Sequence, residues 1–468
     1  MASADTNLCY LTIGEASGLI RRGELSPVEL TRAFLDRIEA VDGRLHAFIT
    51  VLADEALEEA RAAEAEILKG EYRGALHGIP LAHKDLYDTA GVRTTSGSRV
   101  DEHRVPPEDS TVIARYREAG SVLLGKLSMH EFALGGPDFT TPFQPARNPW
   151  NLEHIPGGSS SGSGAAVAAG LCMGALGSCT GGSIRGPAFL CGTVGMKATY
   201  GRVSRAGVVT LSWSQDHCGP LTWTVEDTAH MLQAIAGHDP RDPTSSRAPV
   251  PDYSLSLRED VRGLVVGVPR DFFFSPHPAV SGEVQSIVEK VLVDLEGLGA
   301  SLVEVSIPSL EYERGVNSVI MLSEAFAFHE KNLQTRAHDF GEMVRARFRL
   351  GGLLNASDYV QAQRVRQVIK RETAEVMKGV DVLVTPTMTQ PAARMDVYDP
   401  ASTMHGPSFT APFNITGLPA MSVPAGFTAD GLPVGMQVVG KPFDEPTVLR
   451  VGHTYERHVR WYERRPPI

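Results

Sequence analysis

The sequence predicts an α/β fold, a large mixed β-sheet sandwiched between helices, and three observations carry that prediction. Short apolar runs recur from residue 122 to residue 439, with amphipathic helical patterns between them. The stretch 264–305 reads as strand, helix, strand, the pattern of parallel pairing in a sheet covered on both faces. No linker and no internal repeat interrupts the 468 residues, so 1–468 reads as one unit.

Taken in order, Ser26-Pro27-Val28-Glu29 combines a capping box with proline at the first helical position. Leu30, Phe34, Ile38 and Val41 follow at helical spacing, and the Ala/Glu-rich stretch 54–68 is a second helix. A helix near 110–119 leads into the apolar run 122–127, read as a strand. Strands at 264–268 and 302–305 flank a helix whose Val284, Ile287, Val288, Val291, Leu292 and Leu295 form one face. From about 309 to 378 the pattern is helical and more charged, a candidate peripheral lid. Residues 382–384 and 434–439 read as late buried strands, and a last helix opens near Asp444 with Pro446 in its first turn.

Composition excludes several classes of function. The chain carries 44 basic and 55 acidic residues, a formal charge of −11, with no basic block or aromatic-interleaved stripe, so nucleic acid is not an expected partner. Residues 1–5 lack a basic n-region and no window reaches 18 apolar residues, which predicts a cytoplasmic protein without a membrane span. Five cysteines (Cys9, Cys172, Cys179, Cys191, Cys218) include no C-x-x-C and signal neither a disulfide framework nor a zinc knuckle. Glycine, 46 of 468, exceeds the usual share of about 7 %, and part of the excess lies in 157–207.

Four short patterns fail on context. Gly120-x4-Gly125-Lys126 has Leu127 where a phosphate loop needs a hydroxyl, and its interior looks like a strand. His130-Glu131-Phe132-Ala133-Leu134 lacks the second zinc histidine. Gly162-Ser163-Gly164 lacks both the third glycine of a dinucleotide loop and the strand before it. Gly158-Ser159-Ser160-Ser161-Gly162 formally fits a nucleophile elbow, with Ser160 as its nucleophile, but again no strand precedes it. It is kept as the runner-up serine hydrolase.

The stronger signal is wider. Gly157-Gly158-Ser159 and Gly181-Gly182-Ser183 flank a small-residue helix, and Lys84 lies upstream in GIPLAHKD. Paired glycines before a serine allow unusual φ/ψ and close backbone approach, so their N–H groups can converge on one oxyanion. The run from Gly157 to Arg205, GGSSSGSGAAVAAGLCMGALGSCTGGSIRGPAFLCGTVGMKATYGRVSR, closely resembles the amidase signature family. GIPLAHKDLYDTAGVRTTSGS, RNPWN, FNITGLPAMSVPAGF and GLPVGMQVVG extend the resemblance over nearly the whole chain.

That resemblance implies a Ser-Ser-Lys triad with Ser183 as nucleophile, Ser159 as the bridging serine on a cis peptide and Lys84 as base. It also places the oxyanion hole on the backbone of Thr180, Gly181, Gly182 and Ser183, within a catalytic core of about 75–225. No metal and no cofactor is implied. One departure stands out: the family usually has Asp where this chain has Cys179, and that Asp supports the arginine corresponding to Arg185. A charged partner for Arg185 is therefore missing or comes from elsewhere.

Lysine in water has a pKa near 10.4, so Lys84 can act as base only if its surroundings lower that value. His83 and Asp85, which flank it, read as structural polar residues. The implied activity is hydrolysis of amide-type C–N bonds through an acyl-enzyme, with small or aryl amides favoured and carbamates (urethanes) accepted. Only Arg185 is charged near the motifs, so no strong demand for an anionic substrate is expected. The partner expected is a small molecule, with a homodimer left open. The alternative is one component of a tRNA-dependent amidotransferase, transferring ammonia within a complex.

Overall fold

Among the described residues eleven strands pair into a single mixed sheet. In chain order they are β1 (Phe48–Val51), β2 (Pro80–Lys84), β3 (Val122–Leu127), β4 (Gly174–Cys179), β5 (Val194–Lys197), β6 (His217–Thr222), β7 (Val265–Val268), β8 (Ser301–Glu304), β9 (Val382–Pro386), β10 (Ala420–Phe427) and β11 (Pro433–Gly440). Across the sheet the order is β1-β3-β2-β4-β6-β5-β10-β11-β9-β7-β8. Strands β2, β3 and β4 are mutually parallel neighbours, as are β9, β7 and β8, while the strands between them pair antiparallel. The computed structural model describes residues 8–258, 260–274, 280–399, 401, 404 and 406–468. Residues 1–5, read above for a leader, lie outside the described residues.

The expected elements recur with small shifts. Ser26 caps the helix Pro27–Leu45 by accepting from the backbone N–H of Val28 and Glu29. The helix Gly282–Gly297 buries Val284, Val288, Val291, Leu292 and Leu295, and its flanking strands β7 and β8 pair parallel. The charged stretch after residue 309 resolves into helices Glu313–Thr335, Glu342–Gly351 and Ala356–Val376.

Period-two alternation in β10 shows how helices cover both faces. On one face Met421 and Val423 meet the helix Glu445–Val459 at Gly452. On the other, the neighbourhood of Ser422 and Gly435 meets Phe189 of the helix Arg185–Cys191. With both faces dry, β2, β4, β5, β6, β9 and β11 are buried along their whole length.

The topology positions the site. Lys84 is the last residue of β2, and the parallel register of β2 and β4 brings Ser178 and Cys179 to the same end of the sheet. Carboxyl ends of adjacent parallel strands are where open α/β sheets gather their reacting groups. The loop from β4 carries Gly181-Gly182-Ser183, and the small-residue helix Ser161–Ala168 starts just after Ser159.

Candidate active site

Two glycines show why each serine needs its Gly-Gly lead. A Cβ on Gly158 would lie 1.9 Å from Cε1 of His130, so only glycine fits beneath that ring. Gly182 has φ of 152°, and a Cβ there would lie 2.2 Å from Oγ1 of Thr410. The Gly158–Ser159 peptide bond is cis, as the resemblance implied.

Lys84 is fully buried, and its Nζ donates to Oγ of Ser159 at 2.7 Å and to Oγ of Ser178 at 2.8 Å. No carboxylate among the described residues pairs with it. Burial pulls its pKa down to about 7, against smaller upward pulls from Cys179 and Asp216. Ser159 and Ser183 line one cavity, with Ser159 buried and Ser183 partly exposed. No hydrogen bond joins their two hydroxyls among the described residues, so the structure joins Lys84 to Ser159 and sets Ser183 beside them. Ser160, the runner-up nucleophile, is fully buried; its hydroxyl donates to the Ser178 carbonyl and accepts from the Ser178 N–H.

The loop at Thr180–Ser183 is held from outside by its carbonyls. Thr410 Oγ1 donates to the Gly181 carbonyl at 2.6 Å, and Asn317 Nδ2 to that of Thr180 at 3.4 Å. The Thr180 hydroxyl donates to Asp216 at 2.6 Å, and Asp216 in turn accepts the N–H groups of Leu211 and Ser212. Burial raises the Asp216 carboxyl to about 6. The N–H groups of Gly181, Gly182 and Ser183 donate to none of the described residues, which leaves them available to an oxyanion. Sequence reasoning missed Asp216, Asn317, Thr410 and Ser178 as supports. Only Ser178, inside the quoted run, lay where a signal existed.

Arg185 opens the helix Arg185–Cys191 fully buried and outside the cavity lining. Its partners are Gln437 Oε1 and Asn414 Oδ1, each at 2.5 Å, and Cys179 Sγ at 3.5 Å. Two neutral amide oxygens thus stand where a carboxylate was looked for. Burial pushes the Cys179 thiol up, but Arg185, the Ile184 N–H and Lys197 together pull it down and the net shift is downward.

The cavity measures about 600 Å³. Its lining includes charged residues that lie outside the sequence motifs. Arg314 comes from the helix Glu313–Thr335 and Arg347 from Glu342–Gly351, with Tyr398 and Asp399 beside them. Burial lowers the Arg347 pKa, while Tyr398 and Asp399 oppose that shift. Apolar walls of Leu134, Ile155 and Met321 complete the pocket.

Lys126, His83, Glu131 and the Gly162 pattern make packing, hydrogen-bond and ion-pair contacts within the fold. Lys126, in buried strand β3, pairs with Asp85 at 3.3 Å and donates to the Tyr87 carbonyl and to Thr94 Oγ1. His83 stacks on Tyr116 with ring centroids 5.4 Å apart. Glu131 accepts from Ser98 Oγ and from the Gly341 N–H. The Gly162–Val167 pattern lies inside the helix Ser161–Ala168. Among the described residues no group of three His, Cys, Asp or Glu is placed to hold a metal, and no helix is long and apolar enough to cross a membrane.

This fold and constellation define an amidase-signature enzyme of the C–N hydrolase and amidotransferase class. The chain belongs to the Amidase family, whose model matches residues 29–449. It is 45 % identical over 486 residues to the A subunit of glutamyl-tRNA(Gln) amidotransferase from Moorella thermoacetica, covering 98 % of this chain and 99 % of that one. The solved peptide amidase of Stenotrophomonas maltophilia superposes with a TM-score of 0.86 at 31 % identity, covering 98 % of each chain. The A subunit of glutamyl-tRNA(Gln) amidotransferase from Thermotoga maritima gives 0.82 at 37 % identity, covering 96 % of this chain and 95 % of that one.

Proposed function

We propose that the chain hydrolyses the C–N bond of small amides whose acyl part carries a carboxylate. The observation that carries this reading is one cavity lined by Ser159, Ser183 and two arginines, with buried Lys84 donating to Ser159 from behind. Neutral Lys84 draws the proton of Ser159 as Ser159 takes that of Ser183, and Ser183 Oγ attacks the carbonyl carbon. The backbone N–H groups of Thr180, Gly181, Gly182 and Ser183 hold the oxyanion, each donor contributing roughly 3 kcal/mol. The proton returns through Ser159 to the leaving nitrogen, the C–N bond breaks, and water repeats the attack on the acyl-enzyme. Arg347 and Arg314 hold the substrate carboxylate. The core is about 75–225 of a single unit, and the helices of 309–378 act as the cavity's cover. Five buried free thiols fit a cytoplasmic setting.

A carbamate offers the same planar carbonyl and is accepted when it bears a carboxylate. The test compares kcat/KM for succinamate, glutamine, 4-nitroacetanilide and an aryl carbamate in wild type and Arg347→Ala. Succinamate is expected to lead, and Arg347→Ala to lose roughly 10- to 100-fold on it, mostly in KM, with under about threefold on the anilide. Preference for the neutral anilide would overturn the arginine reading.

The full-length likeness to the amidotransferase chain of Moorella thermoacetica favours a second reading, a component of such a complex that frees ammonia from glutamine. Glutamine cleavage that appears only with partner proteins and ATP would establish it over the free hydrolase.

A further inference from the structure

His130 is part of the cavity wall that the reaction as described leaves unused. It follows β3 and heads a short turn in which Phe132 and Ala133 take φ of 45° and 62°. Its backbone N–H donates to the carbonyl of Ser159 at 3.0 Å, and its ring lies on Gly158. The His130 backbone is thus tied to Ser159, the residue that hands a proton to the leaving group, and its ring packs on the preceding Gly158. Nδ1 lies 3.2 Å from the Gly135 carbonyl. A carbonyl oxygen only accepts, so Nδ1 carries the hydrogen. Burial and the nearby Lys84 hold the ring pKa down to about 3, so the ring is neutral. Nε2 is then a lone-pair acceptor; it has no partner among the described residues, and the side chain is over nine-tenths buried.

We infer that His130 is a specificity residue whose Nε2 accepts an N–H of the leaving nitrogen, selecting amides over esters of the same acyl group. Ser159 and His130 divide the leaving group between them. Ser159 donates a proton to the nitrogen lone pair, and His130 receives a hydrogen the nitrogen already has. An ester oxygen has no such hydrogen, and its approach sets two acceptors against each other. A primary amide or an N–H carbamate offers the hydrogen.

This inference rests on the hydrolase reading, and the experiment separates their failures. Wild type, His130→Phe and His130→Gln are compared on a matched primary amide and methyl ester, built on whichever acyl group wild type cleaves best. The phenyl ring keeps the packing on Gly158 but has no acceptor, whereas Gln retains one. His130→Phe is expected to lose roughly 10- to 100-fold in kcat/KM on the amide and under about threefold on the ester. His130→Gln should recover most of the amide activity. Melting temperatures identify any variant that loses activity through unfolding, and there the amide-to-ester ratio of the folded fraction is the readout. Equal losses on amide and ester, or no loss on either, would overturn the role of His130 while leaving the triad intact. A wild type that cleaves no amide at all would overturn the hydrolase reading, and this inference with it.

Discussion

Two lysines on adjacent parallel strands, Lys84 at the end of β2 and Lys126 in β3, are both fully buried, and their partners differ in kind. Lys126 has the Asp85 carboxylate at 3.3 Å. Lys84 has two serine hydroxyls and, among the described residues, no carboxylate. Burial lowers the pKa of both, opposed at Lys126 chiefly by the paired Asp85 and at Lys84 by the charges of Cys179 and Asp216, with which it makes no ion pair. Desolvation is therefore common to both sites, and the counter-ion separates a structural cation from a candidate base. With hydroxyls rather than a carboxylate as partners, Lys84 can be neutral and still hydrogen-bonded to Ser159, as a candidate base must be.

The largest effect that can break this comparison is Lys84→Ala, expected to cost roughly a thousandfold or more in kcat at neutral pH. Lys84 must be neutral to accept a proton, and its pKa is lowered from the ordinary 10.5 to about 7. The wild-type rate should therefore rise with pH through about 7 and then level, with the apparent pKa belonging to the Lys84–Ser159–Ser178 network. In Lys84→Ala that step should vanish and the deficit shrink at high pH, where hydroxide partly replaces the base. An unchanged profile would remove Lys84 from the mechanism.

Lys126→Met should act on stability instead. It leaves Asp85 buried without its cation, at about 3–5 kcal/mol, while kcat of the folded fraction stays within about threefold of wild type. Denaturant melts and active-site titration measure the two separately. A kcat loss as large as that of Lys84→Ala, without instability, would erase the distinction between the two lysines.

Cys179→Asp should be the smallest change. The carboxylate would form a charge-assisted pair with Arg185, whose present partners are Gln437, Asn414 and the thiol. The triad should stay active, with a melting-temperature shift of about 1 °C upward, on the order of 1 kcal/mol. A fall would mean that a buried charge at Cys179 finds too little room.

How much was legible in the sequence follows the same physical divide. Strand β3, strands β7 and β8, and the helix Gly282–Gly297 could be read because Val and Leu recur at a clear period. Strands β2 and β4 to β6 could not be read from pattern, since PLAHK, GALGSC, VGMK and HCGPLT are mostly weak strand formers. Burial on both faces and pairing with neighbours outweigh local preference there. In the site, Lys84, Ser159 and Ser183 stood out through the Gly-Gly-Ser units and the quoted motifs. Arg314, Asn317 and Arg347 did not, because they lie on helices more than a hundred residues further on and look like an ordinary solvated charged face. Asp216 and Thr410 act through single hydrogen bonds to loop atoms, and no spacing encodes those.

The central claim is that Ser183, poised beside the Lys84–Ser159 pair, is the residue whose hydroxyl attacks. The most direct test is peptide-level mass analysis after treatment with a serine-directed fluorophosphonate, in wild type and Ser183→Ala. A single adduct on Ser183 in wild type, and none in Ser183→Ala together with loss of turnover, is the predicted result. An adduct on Ser160, persisting in Ser183→Ala, would contradict the account and return the chemistry to the nucleophile-elbow serine.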